Sequence, residues 1–257
     1  MPNKPRKTPG NVRIPADTLA DLNAGTRQSA NLVEGLAVDF VALMSVAVPD
    51  VPPEAHGRLT VGSPSITQRM RIAGELVLEH VGLGGLDALV DHASDTVRGW
   101  AAYMVGLAPG LSLAERFTLI RPLADDFHFA VREWAWMPLR PHIAADLARA
   151  IRLLEPWVHE PSAYLRRFAV EATRPRGVWT EHIAELKENP RLGLPLLQPL
   201  RADPERYVQD AVSNWLNDAA KSKPDWVRNL VEGWADGCEN AGTLRICRRA
   251  LRSVREE

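Results

Sequence analysis

The chain has 257 residues, 46% of them hydrophobic and 25% charged, with a formal net charge of −1. This is an ordinary globular composition with enough apolar residues for a substantial core in one extended or two small domains, and it argues against a nucleic-acid binder that works through its whole surface, leaving room for a local basic face. The two cysteines, Cys238 and Cys247, lack metal-ligand spacing, and no secretory signal or long apolar run is present, so the expectation is a cytoplasmic, metal-free protein that does not enter a membrane.

Residues 1–13 carry Lys4, Arg6, Lys7 and Arg13 with no acid, and read as a flexible basic arm. Over 14–65 an N-terminal helical cap and loop are expected. Leu19 and Leu22, then Leu32, Leu36, Phe40 and Leu43, fall at helical spacing, which predicts two helices broken near Gly25. The stretch from Pro49 to Pro64 is rich in proline and glycine and reads as a surface loop, with helices resuming near Ile66. Gly82-Leu83-Gly84-Gly85 has no preceding strand and reads as a turn between helices.

From 66 to 257 the chain repeats itself. Val97-Arg98-Gly99-Trp100-Ala101 is echoed by Val131-Arg132-Glu133-Trp134-Ala135 and by Leu165-Arg166-Arg167-Phe168-Ala169, at intervals of 34 and 34 residues. Weaker copies occur at Val208 and Leu244, after 43 and 36 residues. Strand signals are almost absent, so the fold expected is all-α, an α-solenoid in which stacked helical pairs share one core and present a curved, concave face. The aromatic positions Trp100, Trp134, Phe168 and Trp215 read as core. The recurring arginines suit either phosphate binding or salt bridges between repeats.

The stretch Tyr164 to Trp179, YLRRFAVEATRPRGVW, gathers chemistry at a helix end. Leu165, Phe168 and Ala169 mark a half-buried helix, which Pro175 keeps from continuing past Thr173. That places Glu171 in the last turn, with Arg174 and Arg176 flanking the proline and Trp179 just beyond. Taken alone, Glu171 reads as a solvated partner of Arg167, Trp179 as a loop anchor, and Asp218 as a solvent-facing partner of Lys221.

Three segments together, FAVRE at Phe129–Glu133, LRRFAVEATRPRGVW at Leu165–Trp179 and RYVQDAVSNWLNDAAKSKPDWV at Arg206–Val227, resemble the HEAT-like-repeat DNA alkylation repair glycosylases, the AlkC type more than the AlkD type. The resemblance runs from about Ile66 onward. It implies a HEAT-like solenoid, monomeric, that wraps double-stranded DNA and excises cationic N-alkylated purines such as 3-methyladenine, with 7-methylguanine a further substrate, using no metal or cofactor. It also implies Glu171 as the carboxylate beside the lesion, Trp179 as the aromatic that contacts it, and Asp218 as the acid that positions water. DNA contacts are expected from Arg132, Arg166, Arg167, Arg174, Arg176, Lys221 and Lys223. Where AlkC-like proteins have a further glutamate before this motif, this chain has His128, so His128 and Glu133 are the candidate substitutes. The immunoglobulin-like C-terminal domain of some AlkC proteins is expected to be absent. Two other functions suit the same architecture: a catalytically silent protein that binds DNA structure, and a protein-interaction scaffold.

Overall fold

The computed structural model describes residues 14–177 and 179–254, so the basic arm expected over 1–13 lies outside the described residues. Every regular element among the described residues is helical. The chain forms two compact units, Met1–Ala101 and Ala102–Glu257. Among the described residues no helix is long and apolar enough to cross a membrane.

The first unit contains α1 (Ala16–Asn23), α2 (Leu32–Ala37), α3 (Phe40–Ala47), α4 (Ile66–His80), α5 (Leu86–Val90) and the start of α6 (Asp95–Leu107). Its core collects Leu22, Leu43, Met44, Met70, Leu76 and Trp100, all buried, and the Phe40 and Trp100 rings meet at 5.6 Å. The break near Gly25 is present, with this glycine at φ +71. Beyond the break the chain forms two helices, α2 and α3, where one was expected. Asp39 accepts from Val41 N at 2.9 Å and from Ala42 N at 3.1 Å, and so starts a new helix inside a stretch that the spacing of Leu32, Leu36, Phe40 and Leu43 suggested was continuous. As a result Leu32 and Leu36 are exposed while Phe40 and Leu43 are buried. The expected loop holds a short 3₁₀ helix, Pro53–Leu59. Helix formation then resumes at Ile66, where Ser65 and Gln68 form a reciprocal capping box.

The second unit runs through α7 (Leu113–Ala124), α8 (Phe129–Trp136), α9 (Arg140–Ala145), α10 (Leu147–Leu154), α11 (Ala163–Ala172), α12 (Ala184–Glu188), α13 (Leu194–Leu197), α14 (Arg206–Ala220), α15 (Pro224–Ala235) and α16 (Ala241–Ala250). Helix α8 packs on α7 and α11, α11 on α14, and α14 on α16, so the helices that carry the repeated motif are neighbours. Phe168, Trp215, Leu216 and Ile246 are buried, with the Phe168 ring packed on those of Phe117 and Trp157.

The recurring basic residue has a recurring task. Arg98 Nη1 donates to His92 O at 2.7 Å, Arg132 Nη1 to Asp126 O at 2.6 Å, and Arg166 Nη1 to Glu160 O at 2.9 Å. In the next copy Gln209 stands at this position, and its Nε2 donates to Asp203 O at 2.8 Å. Each side chain therefore ties the loop before its helix to the helix itself. A charge-assisted bond of this kind contributes about 1.5–3 kcal/mol. The last copy differs, since Arg245 pairs with Asp210 at 2.6 Å.

Candidate active site

Glu171 and Asp218 sit in the last turns of α11 and α14, neighbouring helices, and both are buried, at 3% exposure each. Two acids at helix C-termini meet the negative end of the backbone dipole, so each needs a cation close by. One guanidinium serves both. Arg174 Nη1 lies 3.2 Å from Glu171 Oε2, and Arg174 Nη2 lies 2.7 Å from Asp218 Oδ2. Burial by itself lowers the proton affinity of the Arg174 guanidinium, but Glu171 and Asp218 outweigh it and hold Arg174 above its ordinary value.

The pairing extends in both directions. Arg167 bridges Glu171 Oε1 at 3.5 Å and Glu133 Oε1 at 2.5 Å. Lys221 Nζ reaches Asp218 Oδ1 at 3.0 Å. Glu133, Arg167, Glu171, Arg174, Asp218 and Lys221 thus alternate in sign along one line. The pairings Glu171–Arg167 and Asp218–Lys221 are those the spacing suggests. The solvated setting is not found, because the acids are buried.

The loop after α11 is held from beneath by Arg140, a buried side chain of α9. It donates to Ala172 O at 3.0 Å, Arg174 O at 2.9 Å and Glu181 O at 2.9 Å. Burial, aided by the nearby charge of Arg174, pulls Arg140 down to about 10 even though Asp218 and Glu171 act in the opposite sense. A Cβ on Gly177 would lie 2.9 Å from Arg140 Nε and 1.9 Å from Thr180 Oγ1, so only glycine allows this close approach. Trp179 comes two residues later, in the left-handed region at φ +59. It is 54% exposed, and its ring stacks at 6.5 Å and 27° on Trp134.

The structure therefore brings Glu171, Asp218, Arg174, Arg167 and Glu133 into one cluster. Arg176 donates to Asp218 O at 3.3 Å and to Ser222 Oγ at 2.7 Å, while Lys221 and Lys223 lie exposed at the C-terminal end of α14. Arg166 is taken up by Asp203 Oδ2 at 2.7 Å as well as by its loop carbonyls. His128 stands outside the cluster. It caps α8, its Nδ1 accepting from Ala130 N at 3.3 Å. Trp134 corrects the core reading: it is only half-buried and supports Trp179. Arg140 escapes sequence reasoning altogether. A charged residue between Leu139 and Pro141 gives no pattern from which its burial could be read.

A family model described as DNA alkylation repair enzyme matches residues 114–248, which include every residue of the cluster. Among solved structures, the Pseudomonas fluorescens alkylpurine DNA glycosylase AlkC, bound to DNA containing an abasic site analog, superposes with a TM-score of 0.68 at 25% identity, over 92% of this chain and 62% of that one. AlkD2 from Streptococcus mutans shares the fold, with a TM-score of 0.57 at 20% identity over 83% of this chain and 96% of its own. The Bacillus subtilis protein YhaZ is 33% identical over 115 residues, 45% of this chain and 31% of that protein. The chain thus spans about a third of that curated relative.

Proposed function

The chain belongs to the DNA alkylation repair enzyme family, and from that membership we propose that it is a cytoplasmic, monomeric DNA glycosylase that hydrolyses the N-glycosidic bond of cationic N-alkylated purines in duplex DNA. The observation that carries this reading is the buried pair Glu171 and Asp218, bridged by Arg174, on adjacent helix ends beside an exposed tryptophan. An alkylated purine already bears positive charge, so its bond to the sugar is weak. The protein chiefly has to stabilise an oxocarbenium-like sugar and orient a water.

In this reading Glu171 faces the lesion and supplies negative field. Asp218 accepts a proton from the attacking water. Each carboxylate has about four lone-pair directions, so holding Arg174 still leaves it able to accept from a ligand. Trp179, backed by Trp134, offers a ring face to the cation, a contact worth about 0.5–2 kcal/mol. Glu133, joined to Glu171 through Arg167, takes the place of the glutamate that AlkC-like proteins carry before the FAVRE segment; His128, as a helix cap, does not. Arg174 holds the carboxylates in place, and Arg176, Lys221 and Lys223 meet DNA phosphates. The departing base and an abasic sugar are the products.

The test is release of free base from methylated genomic DNA, with the purines resolved by chromatography. Wild type should release 3-methyladenine. Asp218→Asn and Glu171→Gln should each slow release about 10²–10³-fold while duplex binding and the folded circular dichroism spectrum persist. Duplex binding by wild type without base release would leave a binder of DNA structure.

A further inference from the structure

The line of alternating charge ends in a group unlike the rest. Arg167 and Arg174 carry guanidiniums, which stay protonated and offer no electron pair for making a bond. Lys221 carries a primary amine, and its Nζ lies 3.0 Å from Asp218 Oδ1. Asp218 has a closer partner on its other oxygen, Arg174, through Nη2 at 2.7 Å and Nε at 2.9 Å. The lysine is the outer of the two cations: its side chain is 42% exposed, that of Arg174 only 14%. The amine therefore stands at the mouth of the cluster, open to a ligand.

Its position is fixed by the chain around it. Lys221 caps α14 three residues after Asp218, so both side chains leave the same helix face. Arg176 pins the turn on either side, donating to Asp218 O at 3.3 Å and to Ser222 Oγ at 2.7 Å. A lysine amine and a proton acceptor at hydrogen-bonding distance are what covalent catalysis on a carbonyl requires. In the glycosylase reading that carbonyl is supplied by the reaction itself. Water adds to C1′ of the sugar against Asp218, and the abasic product opens to an aldehyde at the same carbon. Nζ and C1′ thus share one carboxylate, and the amine has only to exchange that hydrogen bond for an approach of about 3–3.5 Å.

We propose that the chain has a second activity, cleavage of the DNA strand at an abasic site through an imine on Lys221; the placing of the sugar rests on the glycosylase reading above. After base release the proton taken from the attacking water passes to solvent, leaving Asp218 ionised. Asp218 then relays two protons from the Lys221 ammonium as Nζ bonds to C1′ and the aldehyde oxygen departs as water. The product is a protonated imine. Asp218 next takes a proton from C2′, and the electron pair of that bond forms the C2′–C3′ double bond as the C3′–O bond breaks. The 3′ phosphate departs with its bonding pair. Water hydrolyses the imine, which restores the lysine and leaves an unsaturated aldehyde on one strand end and a 5′ phosphate on the other. Asp218 returns its proton to solvent.

A duplex with a preformed abasic site, made by removing uracil with a separate enzyme, tests this without calling on base release by this protein. Wild type should nick that duplex faster than buffer alone. With sodium borohydride, which reduces an imine to a stable amine, it should form a covalent protein–DNA adduct that peptide mapping by mass spectrometry places on Lys221. Lys221→Arg keeps the charge but has no amine, and at protein concentrations that saturate duplex binding it should lose that adduct. No adduct from wild type overturns the proposal. So does an adduct spread over Lys187, Lys223 and other amines, or one that Lys221→Arg retains. Base release from methylated DNA with no adduct leaves the glycosylase and removes the second activity. An adduct at Lys221 with no base release sustains the second activity and removes the glycosylase.

Discussion

At their N-terminal ends α8, α11 and α14 carry Arg132, Arg166 and Gln209, each donating to a carbonyl of the loop before its helix; at their C-terminal ends α11 and α14 carry Glu171 and Asp218, each buried against a guanidinium. The first arrangement can be repeated because it depends only on backbone, and a neutral glutamine does the job where arginine is absent. The second occurs once and depends on charge. Its acids stand where the helix dipole disfavours them, and the cations around them compensate. A protein needing only stability would do as well with apolar residues there. A buried chain of alternating charge in that place is what the proposed site, which has to meet a cationic ligand, requires.

The largest effect should come from breaking the second region. Arg174→Leu leaves Glu171 without its nearest cation and Asp218 with Lys221 alone, and should cost about 3–5 kcal/mol in denaturant unfolding. The double variant Arg174→Leu with Asp218→Leu should lose less than the single one, because it no longer buries at α14 a carboxylate that has lost the nearer of its two cations. An equal or greater loss would mean the pairs are individually stabilising and the argument from charge fails. A smaller effect, about 2–3 kcal/mol, is expected for Arg140→Met, which strands the carbonyls of Ala172, Arg174 and Glu181. Amide exchange should accelerate around Thr180 and Glu181 while α14 stays protected. Uniform acceleration across the unit would instead make Arg140 a general core residue.

These two regions were unequally legible in the sequence. The repeat showed because a position that recurs at intervals of 34 to 43 residues announces itself whatever it does, and the helix stop at Pro175 came from the missing N–H of proline. Local spacing also gave the pairings of Glu171 with Arg167 and of Asp218 with Lys221. The bond of Arg174 to Asp218 joins residues on two different elements, and no periodicity reports it. Burial was equally invisible: Glu171 is an ordinary glutamate until α14 packs over it. The same holds for Trp134, an expected core residue turned outward by its stacking on Trp179, and for Leu32 and Leu36, exposed because one aspartate restarts the helix.

The smallest effect tests the first region, and the protein already contains the control. If the repeated arginine acts mainly by tying loop to helix, then a glutamine should replace it with limited loss, as Gln209 does natively at 2.8 Å from its carbonyl. Arg166→Ala should remove both that tie and the ion pair to Asp203, costing about 2–3 kcal/mol. Arg166→Gln should keep the bond to Glu160 O and cost about 1 kcal/mol, the remainder being the bridge to Asp203. Thermal unfolding at two salt concentrations separates the parts, since the bridge is partly screened and the backbone bond is not. Equal losses for the two variants would show that charge, not the carbonyl bond, is what the repeat maintains, and the two ends of these helices would then differ only in degree.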